Sequence, residues 1–143
     1  MNRLKEKKNP ALKSIEKLNY NDENTQSDSI DALNHKTTFA NNRNNKLLST
    51  TDAENHSKLS TYDINGNVKT KDDGKGHITY YGYDNLGRLK EVSTSVDSVL
   101  QTTSYAYDHN NNMISHTDSK QHTTIYDYNA MNKFENIATV GVI

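Results

Sequence analysis

The sequence predicts an all-β chain of stacked β-hairpins, and two observations predict it. A Tyr-Asp dipeptide or a close relative recurs at steps of 21, 24 and 21 residues, starting at Tyr62, Tyr83, Tyr107 and Tyr128. A Gly or Asn follows three positions after the Asp or Asn of each copy. Gly and Asn accept a positive φ most readily, so each copy contains a tight turn. A period of this length indicates a repeat array in which each unit packs on its neighbour.

Composition limits the classes of function. The chain has 17 Lys+Arg against 18 Asp+Glu, so its formal charge of −1 gives no global attraction for nucleic acid. It has no Cys, which excludes disulfides and thiolate metal sites, and no apolar run near 18 residues that would span a bilayer. Leu, Ile, Val and Phe total 26 of 143 residues, but nine Tyr add apolar surface. Any packed core is therefore expected to be aromatic and to lie in the second half.

The cleanest copy of the repeat runs over residues 79–89 and contains a whole hairpin. Two tyrosines two positions apart share one strand face, and the Asp bonds its own following backbone to begin a turn. The Gly closes that turn in the left-handed region, and the Leu opens the return strand. These residues are Tyr81, Tyr83, Asp84, Gly87 and Leu89, with Arg88 between the last two.

The remaining copies follow the same pattern with substitutions. The predicted turn-closing residues are Asn24, Asn45, Gly66, Gly87, Asn111 and Asn132. The other motif residues are Tyr62 and Asp63 in one copy, Tyr105, Tyr107 and Asp108 in the next, and Tyr126 and Tyr128 in the last. One hairpin is not stable alone in water, so the copies are expected to stack side by side.

The string Tyr-Gly-Tyr-Asp-Asn-Leu-Gly-Arg-Leu at 81–89 resembles the RHS/YD-repeat family. The resemblance is strong over 60–135 and weak over 18–59, where Asn41 replaces the motif Tyr. It implies a segment of a long β-sheet that spirals into a hollow shell. In polymorphic and insecticidal toxins such a shell encloses a toxin domain, and in teneurin-like and wall-associated proteins it forms a surface scaffold. It also implies that the repeat residues are structural, that the partners are further YD repeats or a cargo toxin domain, and that the location is secreted or cell-surface.

The expected organisation has three parts. Residues 1–36 form a polar segment with a basic start, residues 37–135 form the hairpin array, and residues 136–143 form a tail. In the first part, Pro10 followed by Leu12, Ile15 and Leu18 fits a short helix, whereas Tyr20 fits a repeat strand. Residues 21–35 are polar enough to lack regular structure. No signal peptide is visible.

No catalytic, metal-binding or cofactor-binding residue is predicted. The six His residues lack zinc-site spacing and are interpreted as surface groups. Ser115, His116 and Asp118 suggest a triad only by composition, because no nucleophile elbow accompanies them. The pair Asp72-Asp73 precedes Gly74 and Gly76, which is typical of a loop.

The predicted function is therefore a non-enzymatic structural repeat segment. The alternative is a carbohydrate- or cell-wall-binding module in which the tyrosines form a stacking surface for sugars. The absence of Trp weakens this alternative, since choline- and wall-binding repeats use Gly-Trp pairs. Open strand edges are further expected to cause self-association or dependence on neighbouring sequence.

Overall fold

A computed structural model describes residues 5–9, 14–20, 25–31, 33–96 and 99–141. The described residues form thirteen β-strands and no helix, which confirms the all-β expectation. The first strands are β1 (Lys5–Asn9), β2 (Ser14–Tyr20), β3 (Gln26–Ile30), β4 (Lys36–Asn41), β5 (Leu47–Thr51), β6 (Ser57–Tyr62) and β7 (Val68–Asp72). The others are β8 (Ile78–Tyr83), β9 (Leu89–Val96), β10 (Val99–Tyr107), β11 (Met113–Thr117), β12 (Thr123–Tyr128) and β13 (Phe134–Val140).

The chain divides into two compact units, Met1–Gly76 and His77–Ile143. The first unit contains β1 to β7, and within it every two consecutive strands pair antiparallel. The second unit contains β8 to β13 in the same arrangement. Each unit is therefore a meander of hairpins in which sequence neighbours are also spatial neighbours.

The N-terminal segment decides between the two alternatives for residues 14–20 and departs from the expectation for residues 21–35. Residues Ser14–Tyr20 form strand β2 between β1 and β3, so the helical alternative is wrong over this range. Pro10 itself lies outside the described residues. Strand β3 also forms within the polar stretch 21–35 that was expected to lack regular structure. Two flanking strands supply hydrogen-bond partners on both sides, and this tertiary pairing outweighs the local propensity.

Five motif hairpins have turns that the structure describes, and each of these five has a register shift where its first strand ends. The shifts lie at Ala40/Asn41, Thr61/Tyr62, Gly82/Tyr83, Ala106/Tyr107 and Asp127/Tyr128. The extra residue lies at the start of the return strand, so Tyr83 pairs directly with Leu89. A bulge of this kind increases the local twist and re-aims the adjacent side chains. Leu89 opens its return strand as predicted, and the other return strands begin at the equivalent positions, Leu47, Val68, Met113 and Phe134.

Burial is shallow throughout the described part of the chain. No apolar side chain there is fully buried, and the motif tyrosines are half-buried. The single buried polar residue among these is Ser93, at 4% exposure, whose hydroxyl lies 3.1 Å from Glu91 Oε1 and 2.9 Å from Thr102 Oγ1. The described residues contain no buried apolar core, so the aromatic core expected in the second half of the chain is not present there. The described residues of each unit form a single sheet with no second layer on its faces, so its tyrosines contact side chains of the same sheet, within their own hairpin or on the next one.

No helix long and apolar enough to cross a membrane occurs in the described ranges.

Candidate functional site

Each motif turn is closed by one side-chain oxygen that accepts two backbone N–H groups. Asp84 Oδ1 accepts from Leu86 N and Arg88 N, both at 2.9 Å. Asp108 Oδ1 accepts from Asn110 N and Asn112 N at 2.9 and 2.8 Å. The amide oxygens of Asn42 and Asn129 make the same pair of bonds in their own turns. Asn therefore substitutes for Asp in closing the turn, because only an acceptor oxygen is needed.

The predicted turn-closing residues have left-handed backbone conformations wherever the structure describes them. Their φ values are 59° at Asn45, 83° at Gly66, 77° at Gly87, 68° at Asn111 and 58° at Asn132. Asn24 lies outside the described residues. In each of these turns the N–H of the left-handed residue donates to the carbonyl of the Asp or Asn that begins the turn, at 2.9 to 3.3 Å.

The second carboxylate oxygen distinguishes Asp from Asn at these turns. Asp108 Oδ2 accepts from Asn112 Nδ2 at 2.8 Å, and this bond is the largest cause that lowers the pKa of Asp108. The Asn67 side chain has the same effect on the pKa of Asp63. At Asp84, partial burial raises the pKa, but the backbone N–H and guanidinium of Arg88 outweigh it and hold the pKa below its ordinary value.

Arg88 joins two successive hairpins. Its Nε donates to Asp84 Oδ2 at 2.7 Å within its own turn. Its Nη1 reaches the next motif turn, where it donates to the carbonyl of Asp108 at 2.8 Å and to Asn111 Oδ1 at 2.9 Å. The guanidinium carbon lies 4.8 Å from the centroid of the Tyr107 ring, within cation–π range.

Tyr107 completes this connection in the reverse direction, because its hydroxyl donates to the carbonyl of Leu89 at 2.8 Å. We call the set formed by Arg88, Leu89, Tyr107, Asp108 and Asn111 the clasp. The clasp connects the first residue of one return strand to the motif tyrosine of the following copy.

A smaller set of contacts, equivalent in position to the clasp, joins two hairpins of the first unit. The Tyr62 hydroxyl donates to the carbonyl of Leu47 at 2.8 Å, and Lys46 Nζ lies 5.8 Å from the Tyr62 ring centroid. The lysine occupies the position of Arg88 in its own turn but has no bidentate fork.

The next junction of the second unit lacks an arginine, since Asn112 stands at the equivalent position. Amide groups connect the turns instead: Asn110 Nδ2 and Asn112 Nδ2 donate to Asn132 Oδ1 at 2.9 and 3.2 Å. Aromatic contacts here stay within single hairpins, with Tyr105 against His116 and Tyr128 against Phe134 at centroid distances of 5.4 and 6.0 Å.

Comparison with protein families agrees with this geometry. Residues 83–123, which include Arg88, Tyr107 and the turn at 108–112, match the family model of the RHS Repeat. This stretch is similar to an RHS repeat. The resemblance expected from the motif is thereby confirmed. A search of curated proteins finds no match.

Solved structures of Tc toxins have a similar fold. They include the TcdB2–TccC3 complex without its hypervariable C-terminal region, at 21% identity and a TM-score of 0.63. The complex TcdB2–TccC3–TEV gives 19% and 0.62, and the Photorhabdus luminescens Tc holotoxin pore with a mutated TccC3 gives 20% and 0.61. Each match covers 75% of this chain and only 6% of the other chain. At these identities the likeness supports the fold.

The connections between successive motif hairpins, at the other ends of the strands, form a second series of turns that the sequence pattern did not predict. Here the Asp is followed four positions later by a His, as in Asp31/His35, Asp52/His56 and Asp118/His122. The distances from His Nδ1 to Asp Oδ2 are 2.9, 3.2 and 3.1 Å, respectively. In each turn the backbone N–H of the His is the largest cause that lowers the pKa of the Asp. The recurring Asp-x-x-Asn/Gln-His string, offset from the RHS motif, is the signal that would have found these turns.

The remaining predicted motif residues do not converge on one site. Tyr81 and Tyr83 are half-buried on one face of β8, where Tyr81 pairs with Val92 of β9. Tyr126 and Tyr128 line a solvent-open groove together with Asp108, Ile114 and Asp127. Within the described ranges, no group of three or more His, Asp or Glu side chains is placed to hold a metal ion.

Proposed function

We propose that the chain is a non-enzymatic wall segment of an RHS/YD-repeat shell, which encloses a toxin domain or forms a cell-surface scaffold. The clasp is the observation that carries this proposal. Its charged and hydroxyl groups bind the adjacent repeat: Arg88 binds the turn at 108–111, and Tyr107 binds the Leu89 carbonyl. Side chains used in this way hold neighbouring repeats in register.

The proposed partners are further YD repeats or a cargo toxin domain in a larger protein, and the proposed location is secreted or cell-surface. Two observations support this assignment, namely the similarity to an RHS repeat at 83–123 and the shared fold with the Tc toxin chains. The division into residues 1–36, 37–135 and 136–143 is part of the same proposal as a division of the sequence motif, while the sheet itself continues through β13 to Val140.

A protease-protection experiment in the native context tests the wall role. The chain is tagged in its source cells, purified with whatever polypeptide it encloses, and treated with a broad-specificity protease. An enclosed domain is expected to survive until heat or denaturant opens the shell, and to be cut afterwards. Immediate cleavage of every co-purifying polypeptide, at the rate seen for the same polypeptide alone, contradicts the proposal.

The groove beside Tyr126 and Tyr128 is the candidate surface for the alternative function, carbohydrate binding, and it can be tested directly. Its tyrosine faces and the Asp127 carboxylate are the groups that sugar-binding surfaces use. Tyrosine fluorescence of the full chain is titrated with soluble cell-wall glycans. A wall segment is expected to be indifferent to them. A saturable change that Tyr126→Ala removes and Tyr80→Ala retains would favour the carbohydrate-binding module instead.

A further inference from the structure

The motif turn over residues 63–67 contains the one Asn-Gly dipeptide of the chain, Asn65-Gly66. Asn65 is exposed, and among the described residues no hydrogen bond uses its side-chain amide. Gly66 follows with a left-handed φ of 83°, and its backbone nitrogen has no Cβ beside it. An unpaired side-chain amide therefore lies next to an unhindered backbone nitrogen.

The motif turn over residues 42–46 is a matched turn that lacks the glycine. Asn44 occupies the position of Asn65 and is exposed, and its side chain likewise has no hydrogen bond in the described part of the chain. The left-handed residue after it is Asn45, with a φ of 59°. Its N–H donates to the carbonyl that begins the turn at 2.9 Å, against 3.0 Å for Gly66. The two turns differ at this step in the Cβ of the residue that carries the nitrogen.

We propose that Asn65 is a site of spontaneous deamidation, with water as the co-reactant. The Gly66 nitrogen attacks Cγ of Asn65, and the new C–N bond closes a five-membered succinimide. The Cγ–Nδ2 bond breaks, and Nδ2 leaves as ammonia with the proton of the Gly66 N–H. Water then opens the ring at either carbonyl, which leaves an aspartate or an isoaspartate. A Cβ on the attacking residue would hinder the first step, so the glycine selects this site.

The closed turn slows this reaction, because the Gly66 N–H is held by the Asp63 carbonyl at 3.0 Å. Attack therefore occurs when the turn opens. Ile64 and Asn65 are exposed, and no apolar side chain of the described residues is fully buried, so opening this turn uncovers little surface. Segments with few buried contacts open locally without global unfolding. The folded chain is expected to react, but more slowly than the unfolded chain.

The reaction is expected to weaken a junction between hairpins of the first unit. The Asp63 N–H donates to the Asn67 carbonyl at 2.9 Å, and Asp63 Oδ1 accepts from Asn67 N at 2.8 Å. Isoaspartate adds one carbon to the backbone between these two residues, and either product brings a second carboxylate into the turn of Asp63. Tyr62, which precedes this turn, bonds the Leu47 carbonyl and lies near Lys46. A distorted turn therefore displaces the tyrosine that joins the two hairpins.

Peptide mapping by mass spectrometry tests the site on the full chain. Samples are incubated in mildly alkaline buffer, one folded and one in urea, and deamidation raises the mass of a peptide by about 1 Da. In the folded sample, Asn65 is expected to convert to completion while most of Asn44 remains intact. Conversion of Asn65 is expected to be faster in urea.

A reciprocal pair of substitutions exchanges the two turn sequences. Gly66→Asn is expected to protect Asn65, and Asn45→Gly is expected to make Asn44 react. The first variant keeps its turn, because a Cβ at Gly66 would lie 3.5 Å from its nearest neighbour, Lys46 Cε, and asparagine takes the left-handed position in other motif turns. Far-UV circular dichroism checks that both variants fold.

Thermal melts of incubated samples test the effect on the junction. The fully deamidated chain is expected to melt roughly 5 °C below the fresh chain, whereas incubated Gly66→Asn melts like its own fresh sample. Three results would overturn the site: an Asn65 that stays intact in the folded chain, equal rates at Asn65 and Asn44, or conversion of Asn65 in Gly66→Asn. An unchanged melting temperature after complete conversion would overturn the weakened junction. None of these outcomes depends on the proposed shell role.

Discussion

The two junctions between motif hairpins of the second unit differ in one residue position and in how they are joined. At the first junction Arg88 donates to Asp84, to the Asp108 carbonyl and to Asn111, and the Tyr107 hydroxyl adds a bond in the other direction. At the second junction Asn112 takes the arginine position, and its amide reaches Asn132 at 3.2 Å. Both junctions keep the same turn geometry, so turn closure and coupling between repeats are separate properties.

The difference shows what a decayed motif retains. An Asn at the first turn position still accepts the two backbone N–H groups, as Asn129 does. An Asn at the arginine position donates a hydrogen bond to the carboxylate of its own turn. It lacks the length and the forked guanidinium that would let it reach a backbone carbonyl of the next motif turn. Substitution at the arginine position therefore weakens the array while leaving each hairpin intact.

Acidification is expected to have the largest effect, because it acts on every Asp-based turn at once. The pKa values of Asp84 and Asp108 lie below the ordinary value of 3.8, so ionisation of these carboxyls stabilises the folded state above that pH. This contribution is lost as the pH falls through the lower folded-state pKa values. The melting temperature, followed by circular dichroism, is expected to stay level down to about pH 5 and to fall steeply below pH 4.

Hydrogen exchange at acid pH separates the two kinds of turn. Protection factors at Leu86 and Asn110, whose N–H groups bond to carboxylates, are expected to fall before global unfolding. The factor at Met131, which bonds to the Asn129 amide, is expected to hold. Equal losses at all three positions would show that the carboxylates contribute nothing particular to these turns.

Arg88→Ala is expected to have the second largest effect and to lower the melting temperature by roughly 5 °C. The substitution removes four interactions and leaves the Asp84 carboxylate without its cation. Arg43→Ala is the matched control, since Arg43 is an exposed arginine in another motif turn. A thermal melt in which both variants lose the same amount would contradict a coupling role for Arg88.

Tyr107→Phe removes only the hydroxyl bond to the Leu89 carbonyl. We expect a loss of about 1 kcal/mol in the free energy of unfolding, which is typical of one hydrogen bond. Urea denaturation measures it, with Tyr126→Phe as the control on a half-buried tyrosine of β12. A Tyr107→Phe midpoint equal to that of the natural chain would mean that the ring, and not its hydroxyl, joins the repeats.

Asn112→Arg tests the comparison between the two junctions by adding an arginine where the second junction lacks one. An arginine here is expected to bond the Asp108 carboxylate as Arg88 bonds Asp84, and to reach the turn that begins at Asn129. The melting temperature should rise by roughly 2 °C. Asn65→Arg, in an exposed position of another motif turn, controls for added charge. A rise of equal size in the control would attribute the gain to net charge alone.

The sequence predicted the local structure of the motif hairpins and missed how they are joined. Alternating tyrosines and a Gly or Asn at a fixed offset determine a strand and a left-handed turn within a few residues. The hairpin at 79–89 could therefore be predicted from its local sequence alone. The reach of Arg88 to Asp108 spans 20 positions, and no local pattern specifies it. The Asp–His turns were missed for another reason, because their repeat is offset from the tyrosine motif and was interpreted as scattered surface histidines. Strand β2 was ambiguous since its own residues also fit a helix, and only β1 and β3 decide between them.

The absence of fully buried apolar side chains in the described residues has a thermodynamic consequence. The heat-capacity change of unfolding grows with the apolar area that becomes exposed, and falls with the polar area. A chain that leaves its tyrosines half-exposed uncovers little new apolar surface when it melts. Its heat-capacity increment per residue should therefore lie below the ~12–15 cal/mol/K of globular domains, and its stability curve should be correspondingly flat. Such a fold would change little in stability between a cold and a warm environment, and cold would be a poor way to unfold it.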